Sequence, residues 1–486
     1  MSLLGDLQWH SRIFTGNWQQ SAGGDAAVVE PATGEELGRV GLAGLADLTV
    51  SAAQASVAQR EWAATPFPER AAVLRRAADL LQRHTDELRN WIVRETGGIP
   101  GKAYFELSHA VQNCYEAAAL PSRSQGELLP SAAPRLSMVR RVPAGVVGVI
   151  APFNGPLALA MRSVAPALAL GNAVLLKPDP RSAVSGGVVL AAVFEQAGLP
   201  PGVLHVLPGG ADVGAALVED PHVRVISFTG STSAGRCVGE LAGRHLKRAH
   251  LELGGNSALI VLDDADLDQA ISAAAFGSFF YQGQICMTIG RHLVHESLYP
   301  EYVQRLAAKA DGLPVGDPAT EQVALGPLID AGQRDRVHQL VTSSVAAGAR
   351  LAAGGTYRDL FYRPTVLAEA GPSIPAYQQE VFGPVAPVTP FATLDDAVKL
   401  ASDSEYGLSL GILTRDVARG LGLAERIPTG IAHINDQTIN DEAHAPFGGV
   451  SASGTGSRFG GAAANIEAFT ETRWITARGD IGPYPF

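Results

Sequence analysis

The feature that most constrains the fold is a series of short apolar runs separated by helix-length segments. Val146-Val147-Gly148-Val149-Ile150 runs up to Pro152, and Ala173-Val174-Leu175-Leu176-Lys177 runs up to Pro178; residues 203–207 and 223–228 follow. Such runs are apolar throughout rather than alternating, which suits strands buried on both faces. The segments between them (185–198 with its glycine stop, and 211–219) read as helices. Strand–helix alternation of this kind predicts a parallel sheet with helices on both sides. A second strand–helix series runs from about residue 251 to 443, through 258–262, 266–280, 292–294 and 299–310, so two α/β domains are expected. Upstream, residues 54–94 read as helical from Val73, Leu74, Ala77, Leu80, Leu81 and Leu88 at helical spacing. Residues 96–100 interrupt that stretch, and a further helix over 105–120 stops at Pro121. Two segments fit neither series: 128–142 and 469–477 (FTETRWITA), each an expected outlying hairpin or strand.

Composition narrows the partners. The 486 residues are 46% hydrophobic and 17% charged, enough apolar material for large cores and unlike a disordered polymer. A net charge of -11 argues against nucleic acid or an anionic lipid surface as principal partner. The N-terminus, with Asp6 and Arg12, lacks the sustained apolar core of a signal peptide. Uncharged stretches are broken by Gly and Pro and fall short of the roughly 20 residues that span a bilayer. A soluble, cytoplasmic protein is expected. Cysteine is limited to Cys114, Cys237 and Cys286, with no Cys-x-x-Cys, which fits a reducing compartment and excludes a thiolate zinc site. His292 and His295 fall on opposite faces of an apparent strand, and no metal is expected.

Several residues stand where chemistry is done in such sheets. In Phe228-Thr229-Gly230-Ser231-Thr232, a buried strand enters a turn that starts a helix, whose free N–H groups suit a pyrophosphate. The glycine spacing is not the usual dinucleotide fingerprint, and an ordinary capped helix explains the motif alone equally well. Lys177-Pro178-Asp179 closes a strand at the end where ligands bind in open α/β sheets; a surface turn is the plainer reading. Cys286 follows Gly283, which allows a turn that presents the thiol at a helix edge, although a lone cysteine is more often a buried, inert one. Glu252, in Leu251-Glu252-Leu253-Gly254-Gly255, is a carboxylate among apolar residues at a strand end. Burial there raises its pKa unless it is paired, which is the profile of a general base. Asn154 is a strand-end amide able to donate to an oxyanion.

Taken together, PFNGP, KPD, FTGSTSAG, LELGG, GQIC, Glu380-Val381-Phe382-Gly383-Pro384 and Pro446-Phe447-Gly448-Gly449 resemble the aldehyde dehydrogenase superfamily, in the right order over essentially the whole chain. The resemblance implies a Rossmann-like cofactor domain (1–127 and 143–251) and an α/β catalytic domain (252–450). It also implies a small β extension for oligomerisation (128–142 and 469–486), giving a homodimer or homotetramer. It implies that Cys286 attacks the aldehyde, that Asn154 holds the oxyanion, and that Glu252 activates water to release an acid. Lys177 and Asp179 would grip the adenosine ribose, Gly230 and Ser231 the pyrophosphate, and Glu380 and Phe382 the nicotinamide ribose. A carboxylate at Asp179 disfavours a 2′-phosphate, so NAD is expected ahead of NADP, although the family more often has Glu there.

For the substrate, Gly155 leaves room beside the reacting carbon. Met161 and Arg162 would share a helical face toward it, Arg162 meeting a polar ring substituent or forming a structural ion pair. Tyr281, Ile285, Met287 and Phe447 would add walls. The tract 434–442, running on to Pro446-Phe447-Gly448-Gly449, and the stretch 281–291 are similar to the benzaldehyde and vanillin dehydrogenase branch. An aromatic aldehyde is therefore expected. The alternatives are an aliphatic aldehyde or semialdehyde dehydrogenase and, from another class, a cofactor-free thiol hydrolase or a catalytically silent relative.

Overall fold

The computed structural model describes residues 2–5 and 8–486; Asp6, used above in reading the N-terminus, lies outside them with Met1 and Leu7. The four apolar runs form strands Val146–Ile150, Ala173–Lys177, Leu204–Val206 and Val223–Thr229, joined by Arg248–Glu252. These five are mutually parallel, and the antiparallel hairpin Arg12–Phe14 and Trp18–Gln20 extends the sheet beyond Leu204–Val206. Every residue of Val146–Ile150 and Ala173–Lys177 is buried, as unbroken apolar runs require. Full burial of each Val, Leu or Ile contributes about 1.5–3 kcal/mol.

Strand order places Val146–Ile150 between Ala173–Lys177 and Val223–Thr229. The chain thus winds outward on one side, then returns to wind outward on the other. The carboxyl ends of Val146–Ile150 and Val223–Thr229 flank that reversal, where open α/β sheets bind ligands.

A second seven-stranded sheet runs in the order Arg350–Ala353, Thr365–Ala368, Val385–Phe391, Ile289–His295, Ser257–Val261, Ser409–Leu413, Ile431–Ile434. All neighbours are parallel except the first pair. The two unassigned segments form one three-stranded antiparallel sheet. Thr470–Ala477 pairs with Leu136–Pro143 along its length, and Gly126–Leu128 pairs with the other edge. Helix Ala462–Phe469 leads into it.

Some expectations needed correction. The helical reading of 54–94 resolves into three helices, Leu45–Ala64, Phe67–Arg83 and Thr85–Thr96. Pro66 and Pro68 break the first junction by removing backbone donors and fixing φ. Gly97, at φ +68°, ends the third helix. The helix over 185–198 begins as a π-turn at Val184–Val188, where Glu95 accepts the N–H groups of Val184 and Ser185 at 2.8 and 2.7 Å. Among the described residues, no helix is long and apolar enough to cross a membrane.

Candidate active site

A cavity of about 360 Å³ opens at the reversal point of the first sheet and reaches across to the second. Its floor is the carboxyl end of Val146–Ile150 and of Val223–Thr229, with Gly230 and Ser231 beyond. Lys177 and Asp179 close one end; Cys286 and Glu380 close the other, and Asn154 and Phe382 also line it.

At the Cys286 end the backbone is crowded. A methyl on Gly254 would lie 2.4 Å from the Glu380 carboxylate, and one on Gly255 would lie 2.3 Å from the Cys286 carbonyl. Only glycines let strand end, cysteine loop and Glu380 approach this closely. Glu380 accepts the Gly255 N–H at 3.0 Å, and burial pushes its carboxyl up to about 7. Cys286 follows a turn in which Tyr281, Gln282 and Gly283 all have φ between +50° and +66°. It sits in a turn three residues before strand Ile289–His295 rather than on a helix edge. Asn154 Nδ2 donates to the Gln284 carbonyl at 3.0 Å, tying the strand-end amide to the cysteine loop. Burial, with the Glu380 carboxylate next in weight, pushes the Cys286 thiol up to about 12; Arg162 opposes this.

Glu252 ends the outermost parallel strand, its carboxylate against the backbone of Gly448, where a methyl would lie 2.7 Å from Oε1. Neither carboxylate oxygen has a hydrogen-bond partner among the described residues. Burial therefore raises its pKa well above the usual carboxylate range, and Arg162 and Arg458 only partly oppose that.

At the other end, Lys177 is buried, which lowers its pKa, while Asp179 and Asp212 pull the other way. Asp179 does not stand free beside the cofactor site, as expected of it, but is paired. Arg181, which the sequence reading passed over, grips both Asp179 oxygens at 3.0 and 2.8 Å, also reaches Asp330 at 2.7 Å, and lies 4.3 Å over the Phe153 ring. The carboxylate expected to repel a 2′-phosphate is thereby neutralised. Gly230 also differs from expectation: its N–H donates to the Glu252 carbonyl at 3.0 Å and is not free for a phosphate. Ser231 caps helix Thr232–Arg244, accepting the Ala234 N–H at 3.3 Å. Helix Ala331–Ala346 supplies two more unforeseen residues. Gln333 donates to the Phe382 carbonyl at 2.7 Å and Arg336 to the Glu380 carbonyl at 3.1 Å, fixing the strained Phe382 (φ +53°) at the rim.

On its opposite side, Cys286 joins an apolar cluster with Met287, Leu408, Ile439 and Phe447, flanked by Phe280 and Ile285. Phe276 stacks on Phe280 at 4.7 Å and reaches the surface. Ile285, Met287 and Phe447 are thus brought together as expected. Tyr281 is not with them: it is wholly buried, its hydroxyl donating to the Thr96 carbonyl at 3.3 Å and Lys102 lying 4.1 Å over its ring. The positive φ at Tyr281 turns its side chain into the helical core, which period alone does not reveal. The room beside Gly155 is filled too, since a methyl there would lie 3.2 Å from Leu159, one turn on. Met161 is core as well, against Cys114 at 3.5 Å. Arg162 is buried, 4.1 Å over the Phe447 ring and ion-paired with Asp441, 279 residues away.

The aldehyde dehydrogenase family model matches residues 18–475. A vanillin dehydrogenase of Amycolatopsis sp. is 77% identical over 486 residues, covering 100% of both chains. A benzaldehyde dehydrogenase [NAD(+)] of Pseudomonas putida is 52% identical, covering 98% of each. The crystal structure of a salicylaldehyde dehydrogenase from Pseudomonas putida G7, complexed with salicylaldehyde, superposes with a TM-score of 0.94 at 35% identity, over 98% of this chain and 99% of that one. With two α/β sheets meeting at a cysteine, a buried carboxylate and a strand-end amide, and with the family model spanning nearly its full length, the chain belongs to the aldehyde dehydrogenase family.

Proposed function

We propose that this enzyme oxidises an aromatic aldehyde to its carboxylic acid with NAD, through a thioester on Cys286. The observation that carries the reading is the position of Cys286 between the long cavity and the apolar cluster of Met287, Ile439 and Phe447. An aldehyde seated on the cluster would present its carbonyl carbon to the thiol, and the residues along the cavity would hold a dinucleotide. The names of the two close relatives, vanillin and benzaldehyde dehydrogenase, support an aromatic ring.

The cavity fits a dinucleotide: it lies at the reversal point of the sheet, with the Lys177 ammonium, the Ser231-capped helix start and the Glu380 carboxylate spaced along it. Lys177 would meet a ribose, Ser231 the pyrophosphate, and Glu380 with Phe382 the nicotinamide ribose; Gly230 contributes a close backbone approach. When bound, NAD supplies the hydride acceptor. Cys286 reacts as the thiolate, its proton having passed to solvent, and Sγ bonds to the carbonyl carbon as the carbonyl π bond breaks, leaving an oxyanion that Asn154 Nδ2 and the Cys286 backbone N–H would stabilise. Loss of hydride from that carbon leaves an acyl group on sulfur. Glu252 then takes a proton from water as the water oxygen bonds to the acyl carbon, and the carbon–sulfur bond breaks to return the Cys286 thiolate and release the acid.

Residues 1–127 and 143–251 form the cofactor domain in this reading, and 252–450 the catalytic domain. Segments 128–142 and 469–486 serve self-association. Leu128, Leu136 and Trp474 are exposed on the three-stranded sheet, and a second copy of the chain would cover them. The protein works in the cytoplasm, consistent with three free cysteines.

NADH formation with benzaldehyde, vanillin, hexanal and succinic semialdehyde tests the substrate class. Preferential turnover of the first two is expected, and turnover of the aliphatic pair alone overturns the aromatic reading.

A further inference from the structure

Glu252 lies within the field of two guanidinium groups and bonds to neither. Arg458 is held by the carbonyls of Gly449 and Ser457, at 3.0 and 2.9 Å. Arg162 is held by Asp441 and by the face of Phe447, the residue before the Gly448 on which the Glu252 carboxylate rests. The Arg162 and Asp441 side chains are only 10% and 6% exposed. His109 Nδ1 lies 3.8 Å from the same carboxylate, but burial and Arg162 push that imidazole down to about 4, so it is neutral near physiological pH. Among the described residues, Arg162 is therefore the cation that Asp441 answers.

The arrangement is informative because a buried carboxylate without a partner is costly, and a guanidinium fork is its natural partner. A fork closing on Glu252 would lower its pKa by about 1–3 units and weaken it as a base. Both nearby forks are instead occupied elsewhere.

We propose that Asp441 is a positioning residue for thioester hydrolysis: by holding Arg162 against Phe447, it keeps that guanidinium from closing on Glu252. The inference rests on the reading of Glu252 as the base that activates water. The other groups acting at this point are the Cys286 thiol and, beyond it, Glu380. His250, two residues back on the strand, is occupied by Ser457 and the Ala468 carbonyl. Asp441 belongs to the tract that also carries Ile439 of the apolar cluster, so the segment that helps wall the substrate also restrains the charge beside the base.

Single-turnover measurement of NADH formation and of acid release, across the neutral pH range with benzaldehyde and NAD, tests this. Asp441→Asn should leave the NADH burst in place, slow acid release about tenfold, and move its pH midpoint down by about one unit. The double variant Asp441→Asn, Arg162→Gln should recover acid release and move the midpoint above that of the parent enzyme. Asp441→Glu should stay near the parent. If Asp441→Asn is not recovered folded, Arg162→Gln alone carries the test, through an upward midpoint. An unchanged pH midpoint in both single variants, or a loss that the double variant does not reverse, overturns the role of Asp441. Glu252→Gln separates the two ideas: if it releases acid at the parent rate, the reading of Glu252 fails; if it stalls while Asp441→Asn behaves as parent, only this proposal fails.

Discussion

On one side Cys286 borders a cavity whose polar groups sit at the ends of strands and helices: Lys177 and Asp179 at one strand end, Ser231 at a helix start, and Glu380 against Gly254 and Gly255. On the other side it meets Met287, Leu408, Ile439 and Phe447, packed from segments more than a hundred residues apart, with the buried Arg162–Asp441 pair behind them. The first wall suits a ligand of fixed chemistry, since backbone ends and short loops place its groups. The second is a packed surface that a few side-chain changes can reshape, and in the proposed reading it is where a substrate preference would be set. Substitutions on the two sides should therefore separate cofactor effects from acyl-group effects.

The largest effect belongs to the residue the walls share. Cys286→Ala should abolish NADH formation while NAD binding, followed by fluorescence quenching or calorimetry, survives; retained turnover would remove the premise of the comparison. Next, Glu252→Gln should slow acid release about 100-fold or more, the usual share of a general base. Its signature is a preserved first-turnover burst. Asn154→Ala removes one oxyanion donor and should lower the burst itself by about 100-fold. Stopped-flow traces thus place Asn154 before the thioester and Glu252 after it.

The pH dependence follows from burial. Glu252 must be deprotonated to accept a proton from water, and its pKa is raised. Acid release should fall as pH drops through that raised value, at higher pH than for a solvated carboxylate. The smallest expected change lies on the cofactor side. Arg181→Ala frees the Asp179 carboxylate and should raise the preference for NAD over NADP by about tenfold, the worth of one charge-assisted contact. A ratio of kcat/KM values that does not move would show that Asp179 does not face the ribose.

Much of this was legible in the sequence where the signal is local. Unbroken apolar runs mark the strands of the first sheet, and strand-end motifs mark Lys177, Ser231, Glu252 and Asn154. The substrate wall was legible only in part. Ile285, Met287 and Phe447 converge, but the left-handed turn at Tyr281 sends that ring into the core, where helical or strand period carries no information. The space inferred at Gly155 was lost to Leu159 for a similar reason, because a missing side chain invites its neighbour one turn away. Arg336 and Asp441 matter through Glu380 and Arg162, partners that only the folded chain brings near; Arg181 lies two residues from Asp179, but its reach to Asp330 and Phe153 also comes only with folding.

The acyl-enzyme is the most direct test of the central claim. Intact mass of Glu252→Gln enzyme, acid-quenched after mixing with benzaldehyde and NAD, should show one added acyl group located on the Cys286 peptide. The same treatment of Cys286→Ala should show none. Acid release at the parental rate with no adduct on Cys286 would contradict the account.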